Sequence, residues 1–380
     1  MLVGRTECEG HTFVTNDDFT IGVEEEYQII DPATRELLSR AHLILATAQH
    51  SVGDSVQFEH YLSQIEIGTA IARSVAEVRS ELTRLRREVI AAAGRNGGRI
   101  AAAGTHPFSH WGAQEMTPKA RYVEVAEEQA QLSREQLIFG CHVHIGISDR
   151  DGAIEVMNRS RPWLAVMLAL AANSPYWLGT DTGYSSFRTE MWSRWPTAGT
   201  PHPFSSRADF DNLVSSLQAT GTISDGTKIY WDMRPSARFE TIEFRVTDVC
   251  MTVDEAVMIA GLARGLARTC YDAAIGGEPS PQVRPELLRA AKWQAARYGL
   301  DGQLIDLDAM ASVPAAAMVE SLLAYVRPAL ENYGEWDEVA ALARGTIERG
   351  SAARRQREIF ARNQRLEDVV DFVIAETARG

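Results

Sequence analysis

The alternation of apolar and polar residues predicts β-strands in the first two thirds of the chain. Side chains at positions i and i+2 of a strand lie on one face, so an alternating run should have one apolar face and one polar face. The apolar positions of these runs are mostly Ile, Val and Phe, which favour strands. Four runs show the pattern: residues 19–29, 64–68, 139–147 and 240–247.

Apolar residues at helical spacing predict helices between and after these strands. Ala76–Ala93 repeats its apolar positions in steps of three and four, and Trp163–Ala172 is apolar nearly all round, which indicates a buried helix. The chain from Asp254 onward is predicted to be almost wholly helical, with breaks at residues 276–286, Pro314 and Pro328.

The order of these elements favours an α+β fold over a doubly wound parallel sheet, because the spacing of strands and helices is not that of regular βαβ units. Residues 1–18 are polar and unpatterned, and we predict a loose leader there. Residues 19–380 are predicted to form a single domain, with a sheet-rich part at 19–249 and a helical scaffold at 250–380. A Ser cap at Ser351 is expected to begin the last helical segment.

The polar faces of the first two runs carry carboxylates. Glu24 and Glu26 share the face opposite Ile21 and Val23, and Glu66 occupies the corresponding face of the second run. Two carboxylates about 7 Å apart on one strand face repel each other, and a bound cation would remove that cost. A solvated acidic strand is the alternative interpretation of such a pair.

Two nearby glutamates do not follow the alternation. Glu25 falls among the apolar positions of the first run, and the sequence explains it only through a bulge or a partner at the end of the strand. Glu59 precedes Glu66 by an odd number of positions, so both reach one site only if a bulge or a turn intervenes. Glu59 is therefore the weaker candidate.

The third and fourth runs add histidines and an ion pair. His142 and His144 share one strand face, and the flanking Gly140 and Gly146 would let a ligand approach. Glu243, Arg245 and Thr247 are predicted to share a face in the fourth run. A cross-strand ion pair worth less than about 1 kcal/mol is the alternative interpretation of that run.

The collected polar side chains predict a site for hard cations. Carboxylate-rich sets suit Mg²⁺ or Mn²⁺, whereas zinc sites use more His and Cys, so Mg²⁺ is the expected ion. Acidic side chains bridged by Mg²⁺ can hold a polyphosphate, and Arg245 could balance charge on a phosphoryl group in transfer. The sequence has no GxxxxGK[ST], GxGxxG or GxSxG motif.

Composition and charge exclude several other classes. The 380 residues carry a formal net charge of −13, which argues against nucleic-acid binding. The longest apolar run is far shorter than the roughly 20 residues that cross a bilayer, and the N-terminus does not resemble a signal peptide, so we expect a cytoplasmic protein without a membrane partner. The four cysteines are too scattered for a CxxC motif and should be free thiols.

An ordered set of motifs resembles the glutamate-cysteine ligase type 2 family, also called carboxylate-amine ligases. The resemblance covers nearly the whole chain, from about Thr20 to Arg357. It rests on GVEEEYQIID, QIEIGT, GTHPFSHW, CHVHIGI, YSSFR at Tyr184–Arg188, WDMRPSARFETIEFRVTD and RGSAARRQR. The resemblance implies a glutamine synthetase-like fold, in which a curved, mainly antiparallel sheet has a polar active-site face and helices pack on the other face.

The resemblance also implies an activity and roles for individual residues. The activity is an ATP-dependent ligation in which the γ-carboxylate of glutamate is phosphorylated and an amine attacks the acyl phosphate. Many members resemble enzymes with weak activity on cysteine. The residues that match the family's metal ligands are Glu24, Glu26, Glu59, Glu66, His142 and Glu243.

The remaining roles implied by the resemblance concern the substrates. Arg245 matches the arginine that stabilises the transferring phosphoryl group, and Glu26 is assigned to catalysis beside it. His142 and Arg245 are expected to contact the nucleotide, His144 the amino acid, and Arg188 a substrate carboxylate through bidentate hydrogen bonds. A surface arginine in an irregular loop is the alternative interpretation of Arg188.

Two other function classes stay open at this point. An HxH pair on a strand also suits a zinc-dependent amidohydrolase, although the pair would then be expected near the start of the chain. A catalytically silent relative that binds a nucleotide or metabolite is the second alternative. The expected partners are small amino acids and amines, and the sequence is compatible with a homo-oligomer without fixing the number of subunits.

Overall fold

The computed structural model describes residues 18–379, so the predicted leader lies outside the described residues except for Asp18. The strands are β1 (Ile21–Ile30), β2 (Val56–Phe58), β3 (Gln64–Gly68), β4 (Arg99–Ala101), β5 (Gly140–Gly146), β6 (Tyr176–Trp177), β7 (Thr180–Asp181), β8 (Ala198–Gly199), β9 (Tyr230–Trp231), β10 (Met233–Pro235), β11 (Thr241–Asp248), β12 (Gln303–Asp306) and β13 (Ala311–Pro314).

Helices make up most of the remaining structure. They are α1 (Ala41–Val52), α2 (Val75–Arg95), α3 (Ala120–Gln129), α4 (Gln131–Arg134), α5 (Arg150–Ser160), α6 (Leu164–Leu170), α7 (Phe187–Trp192), α8 (Arg207–Ala219), α9 (Val253–Ile275), α10 (Pro285–Tyr298), α11 (Ala315–Tyr333), α12 (Trp336–Arg349), α13 (Ala352–Asn363) and α14 (Leu366–Thr377).

The main sheet has seven strands in the order β10-β11-β5-β1-β3-β2, with β4 also paired to β1. All of its pairings are antiparallel. This confirms the predicted α+β fold with a mainly antiparallel sheet. The four predicted strands correspond to β1, β3, β5 and β11. They are the four central strands of the order given above.

The apolar face of the sheet packs against helices. Ile21, Val23, Val143 and Ile145 are fully or almost fully buried there. Helix α9 packs on this face of the sheet, and helices α2, α5, α11 and α12 pack around α9. A Cβ at Gly261 of α9 would lie 2.4 Å from a methyl carbon of Val339, so the helices could not approach this closely with a larger residue.

Glu25 points to this apolar face, and its partner is Arg86 of α2. The guanidinium donates two hydrogen bonds to the carboxylate, with Nε 3.0 Å and Nη2 2.5 Å from its oxygens. Both side chains are almost completely buried. No bulge is needed at Glu25, because an ion pair from outside the strand satisfies its charge.

A bulge does occur in β11, where the pairing with β5 shifts between Phe244 and Thr247. The sequence-based prediction that Thr247 shares a face with Glu243 and Arg245 is therefore wrong. Thr247 pairs with Cys141, an apolar-face position, while Asp248 pairs with Gly140. The extra residue reverses the alternation after the bulge and turns Asp248 toward the polar face.

The C-terminal part also differs from the prediction in three places. Strands β12 and β13 form an antiparallel hairpin within the part predicted to be helical. Pro328 lies inside α11, on its exposed side, and the buried face of that helix continues past it. The segment that begins at Ser351 is two helices, α13 and α14, although the predicted Ser cap is present: the Ser351 hydroxyl accepts the Arg354 N–H.

Other expectations can be checked against the described residues. Cys141, Cys250 and Cys270 are buried free thiols, as predicted. The predicted helix at Trp163–Ala172 is the shorter α6. Within residues 18–379, helices with the length and apolar composition needed for a bilayer crossing are absent.

Candidate active site

One cavity of about 470 Å³ opens on the polar face of the main sheet. All nine residues that the sequence singled out line it: Glu24, Glu26, Glu59, Glu66, His142, His144, Arg188, Glu243 and Arg245. The strand register explains this convergence. Glu24 lies opposite His142, Glu26 opposite Glu66, and Glu243 opposite His144.

A first group of ligand atoms comes from three strands. One ligand atom each from Glu24, His142 and Glu243 lie within 4.8 Å of one another. His142 Nδ1 is 3.3 Å from the Glu24 carboxylate and 3.9 Å from that of Glu243. This spacing is within reach of a single divalent cation, and two carboxylates with one imidazole suit a hard cation.

The protonation states of this group favour cation binding. Burial opposes ionisation of Glu24, but hydrogen bonds from His142 and His144 hold the pKa of Glu24 below its ordinary value. Burial and the neighbouring Arg245 cation lower the pKa of His142. The histidine is therefore neutral and the carboxylate charged, which are the forms that bind a metal.

A second group of carboxylates lies beside the first. A turn between β2 and β3 brings Glu59 to Glu66, as the odd spacing required. Burial raises the pKa of Glu66, Glu59 and Glu26, and in Glu66 the neighbouring carboxylates raise it further. Three half-buried carboxylates with this mutual repulsion would be stabilised by a second cation.

Two arginines face Glu243 from β10 and β11. Arg245 Nη1 donates to one carboxylate oxygen, and Arg234 Nε donates to the other at 2.9 Å. Burial opposes the charge of Glu243, but the two guanidinium groups hold the pKa of Glu243 below its ordinary value. Arg245 Nε has no hydrogen-bond partner among the described residues, so this buried N–H is available to a ligand.

Arg188 enters the cavity from α7 and is buried, which excludes the surface-loop interpretation. A Cβ at Gly140 would lie 2.4 Å from Arg188 Nη2, so the glycine makes room for the guanidinium beside β5. Arg188 Nε has no partner among residues 18–379. The Gly140 N–H donates to Glu26 at 2.6 Å, which places the arginine next to the second carboxylate group.

A buried network fixes the start of α7. Asp248 accepts hydrogen bonds from the hydroxyls of Ser186 and Ser174 at 2.8 and 2.7 Å, and from the Asn173 N–H at 2.8 Å. Ser174 in turn accepts the backbone N–H of Arg188 at 3.0 Å. This network accounts for the second serine of the YSSFR motif, Ser186, and for the acidic residue that ends β11.

His144 lies on the other side of His142 from Gly140. Its Nδ1 is 3.0 Å from the Thr241 hydroxyl, and its Nε2 is 3.4 Å from the Glu24 carboxylate. Burial opposes protonation, but the Glu24 and Glu243 carboxylates raise the pKa of His144 above its ordinary value.

The comparison with protein families decides the relationship of the chain. Residues 20–376 match the model of a family described as glutamate-cysteine ligase family 2. The chain belongs to this family. The family is one of ligases, in agreement with the resemblance carried by the motifs.

Relatives in this ligase family share two fifths of the sequence. A Frankia alni protein named "Putative glutamate--cysteine ligase 2-2" is 42% identical over 94% of this chain and 97% of its own length. A relative from Rhodopirellula baltica is 41% identical, covering 94% of this chain and 96% of the relative. A further Frankia alni protein is 44% identical, but the match spans only 41% of its length.

Solved structures show the same fold at low sequence identity. Glutamate–cysteine ligase from Francisella tularensis, crystallised with AMP, has a TM-score of 0.67 and 13% identity, covering 95% of this chain and 89% of that one. The ligase PafA, in complex with the ubiquitin-like protein Pup, has a TM-score of 0.53 and 14% identity, covering 95% and 72%. These likenesses support the fold.

Sequence reasoning missed three residues of the candidate site. Arg234 received no role from the sequence, and its contact with Glu243 was not anticipated. Tyr122, whose hydroxyl is 3.4 Å from Glu59, lies on a helix with no distinguishing motif. Asp248 was not recognised because the bulge in β11 changes the face of the sheet on which it lies. Trp192 and Trp195 also line the cavity.

Proposed function

We propose that this chain is an ATP-dependent carboxylate–amine ligase that forms a γ-glutamyl amide through an acyl phosphate, with weak activity on cysteine. The observation that carries the proposal is the convergence of two carboxylate groups and two arginines on one buried face of the sheet. So many charged groups would be costly there without cations and an anionic ligand.

The two carboxylate groups are proposed to hold Mg²⁺, or Mn²⁺, with a triphosphate. Glu24, His142 and Glu243 would form one site, and Glu26, Glu59 and Glu66 the other. When bound, the cations would neutralise phosphate oxygens and so favour transfer of the γ-phosphoryl group. With the cations bound, the acidic chain would be able to bind a polyanion such as a triphosphate.

Arg245 is proposed to contact the transferring phosphoryl group. Its unpartnered Nε lies in a buried site, where a charge-assisted hydrogen bond to developing negative charge is stronger than in water. Glu243 and Arg234 hold this guanidinium in place before the substrate arrives. Such preorganisation is typical of groups that stabilise a transition state.

Arg188 and His144 are proposed to hold the amino acid. Arg188 would bind its α-carboxylate from the Gly140 side, and His144 would contact the γ-carboxylate near Glu24, where phosphorylation takes place. Glu26, which lies next to Arg188, is proposed to act with the bound cation in catalysis.

The alternative functions have less support. An amidohydrolase barrel has parallel strands, whereas the main sheet is antiparallel and its site contains five glutamates. A silent binding relative would have no need of Arg245, which is present and oriented by two neighbours. Tightly bound zinc with ATP-independent amide cleavage would favour the first alternative, and nucleotide binding without turnover the second.

The test is Mg²⁺-dependent release of phosphate from ATP in the presence of glutamate and a panel of amines that includes cysteine. We expect release to require both a carboxylate and an amine. Arg245→Ala should lower turnover by about 10³-fold, and Glu26→Gln should abolish it, while both variants keep the native circular dichroism spectrum. Arg84→Ala, which removes a partly exposed arginine of α2 outside the cavity, is the matched control. Full activity of either site variant would refute the assignments.

A further inference from the structure

One end of the cavity contains buried polar atoms that the proposed chemistry does not use. Both polar atoms of the Gln136 side chain and the indole Nε1 of Trp195 lack hydrogen-bond partners among the described residues. Each side chain is only 6% exposed, and both line the cavity. A buried amide without partners costs roughly 1–3 kcal/mol, so these atoms indicate a ligand that pairs with them.

The position of Gln136 along the chain defines this end of the cavity. Gln136, Ile138, His142 and His144 have the same parity, and all of them line the cavity. Gln136 precedes Gly140 by four residues, so the two backbone positions are at most about 13 Å apart. Gly140 is the residue whose N–H donates to Glu26. An ion pair between Arg194 and Glu135 joins this segment to the end of α7, where Trp195 follows. Gln136 and Trp195 thus lie beyond Arg188, away from His144.

Two buried cations border this end: Arg188 and Arg245 lie 5.9 and 5.8 Å from the centroid of the Trp192 ring, and both are assigned above to the donor and the phosphoryl group. Other parts of the wall are apolar or neutral. Val125 and Ile138 are buried and apolar. Burial lowers the pKa of His60 to about 4, so this histidine is neutral at physiological pH. The stacked rings of Trp192 and Trp195, with centroids 5.7 Å apart, complete a flat aromatic side.

We propose that this end, which we call the amide subsite, binds the amine acceptor, and that the acceptor is a primary amine with a neutral carboxamide, such as an amino-acid amide or the first residue of a short peptide. The proposal rests on the proposed function. The acceptor carbonyl would accept hydrogen bonds from Trp195 Nε1 and Gln136 Nε2, and its N–H would donate to Gln136 Oε1. These contacts satisfy all three unpartnered atoms.

The acceptor amine would then point toward Glu59 and Glu66. Its nitrogen forms the new C–N bond to the acyl carbon, and the C–O bond to phosphate breaks. Phosphate leaves with the electron pair of that bond and takes up the proton that the nitrogen loses. Every atom of the acyl phosphate and the amine is accounted for.

A free carboxylate fits the amide subsite less well. It could accept from the two N–H groups, but it would leave Gln136 Oε1 facing an anion without a donor. Arg188 and Arg245 would already be engaged by the donor and the phosphoryl group, so an acceptor carboxylate would be buried without a cation of its own. A site built around one hydrogen-bond pattern also rejects ligands that leave its polar atoms unpaired. Discrimination between amide and acid is therefore the property to measure.

The experiment compares kcat/KM for glycinamide, alaninamide and cysteinamide with that for the corresponding free amino acids. We expect each amide to exceed its acid by tenfold or more. Gln136→Met and Trp195→Phe keep the approximate shape but remove hydrogen bonds, and should lower kcat/KM for amides about tenfold. Gln218→Met, on the exposed side of α8, is the matched control. Equal use of acids and amides by the native chain would overturn the proposal.

Hydroxylamine separates this proposal from the proposed function. It is too small to need the amide subsite, yet it traps an acyl phosphate as a hydroxamate. We expect native-like hydroxamate formation from the Gln136→Met and Trp195→Phe variants. An equal loss with hydroxylamine would show that these residues act on the fold or on phosphorylation, and would overturn the amide subsite alone. Absence of hydroxamate from the native chain would overturn both proposals.

Discussion

Removal of the Arg86 cation should destabilise the protein through a charge left behind in the core. The pair formed by Glu25 and Arg86 is buried on the apolar face of the sheet, and Arg86 also donates to the carbonyl oxygens of Met251 and Cys250 at 3.0 and 2.9 Å. In Arg86→Met, the Glu25 carboxylate would keep only the Tyr27 hydroxyl as a donor. The substituted side chain fills similar space, so charge is the main change.

The magnitude follows from the burial of the pair. Breaking a buried ion pair by removing one partner costs about 3–5 kcal/mol, because the other charge stays unpaired in a low dielectric. An unfolding entropy of about 2.1 cal/mol/K per residue gives roughly 0.8 kcal/mol/K for a chain of 380 residues. We therefore expect the unfolding temperature of Arg86→Met to fall by about 5 °C.

Thermal unfolding followed by circular dichroism measures this change. Arg84→Met is the control on the same helix, because Arg84 pairs with Glu81 at the surface, and it should shift the unfolding temperature by less than about 1 °C. A second substitution, Glu25→Leu in the Arg86→Met chain, should recover stability by removing the unpaired charge. An unfolding temperature of Arg86→Met equal to that of Arg84→Met would refute the reasoning, as would further loss in the double variant.

Three further predictions concern the site and the response to pH. Gly140→Ala should displace the Arg188 guanidinium and lower kcat/KM for the donor carboxylate about tenfold, whereas Gly94→Ala, where a Cβ meets nothing within 4 Å, should not. Asp248→Asn should raise KM for the same donor with little change in KM for ATP, because the start of α7 loses its anchor; equal rises would contradict this. Burial lowers the pKa of His106 from 6.5 to about 3. The unfolded chain therefore binds more protons at His106 below pH 6.5, and the contribution of this histidine to the free energy of unfolding should fall by about 2 kcal/mol from pH 8 to pH 5. Denaturant titrations of the native chain and of His106→Asn measure this contribution as the difference between their pH dependences.

The part of the fold that could be predicted is the part governed by local alternation. Glu24, Glu26 and Glu66 lie in half-buried antiparallel strands, where the period of two assigns each side chain to a face. His142 and His144 follow the same rule, so the main candidates for the site were recognisable without coordinates. The alternation alone does not bring Glu59 to the site. The short turn between β2 and β3 does so.

Residues that depend on distant partners could not be predicted in this way. The partner of Glu25 is 61 positions away, and nothing in the local pattern identifies it. Pro328 was expected to end a helix, but packing of the buried face of α11 on α9 outweighs a local cost of about 3 kcal/mol. Asp248 was missed because one extra residue in β11 reverses the alternation of faces in the residues that follow the bulge, and Asp248 is one of them.

The charges on the two faces of β1 also help to fix the register that builds the site. A slip of one residue would turn Glu25 into the cavity and send Glu24 and Glu26 into the apolar layer, where Arg86 could satisfy only one of them. The slipped arrangement would therefore bury an unpaired carboxylate, at a cost comparable to that expected for Arg86→Met. An ion pair behind the sheet and a carboxylate–histidine contact in front of it thus favour the same alignment. The stability of the core and the geometry of the candidate active site depend on this single choice of register.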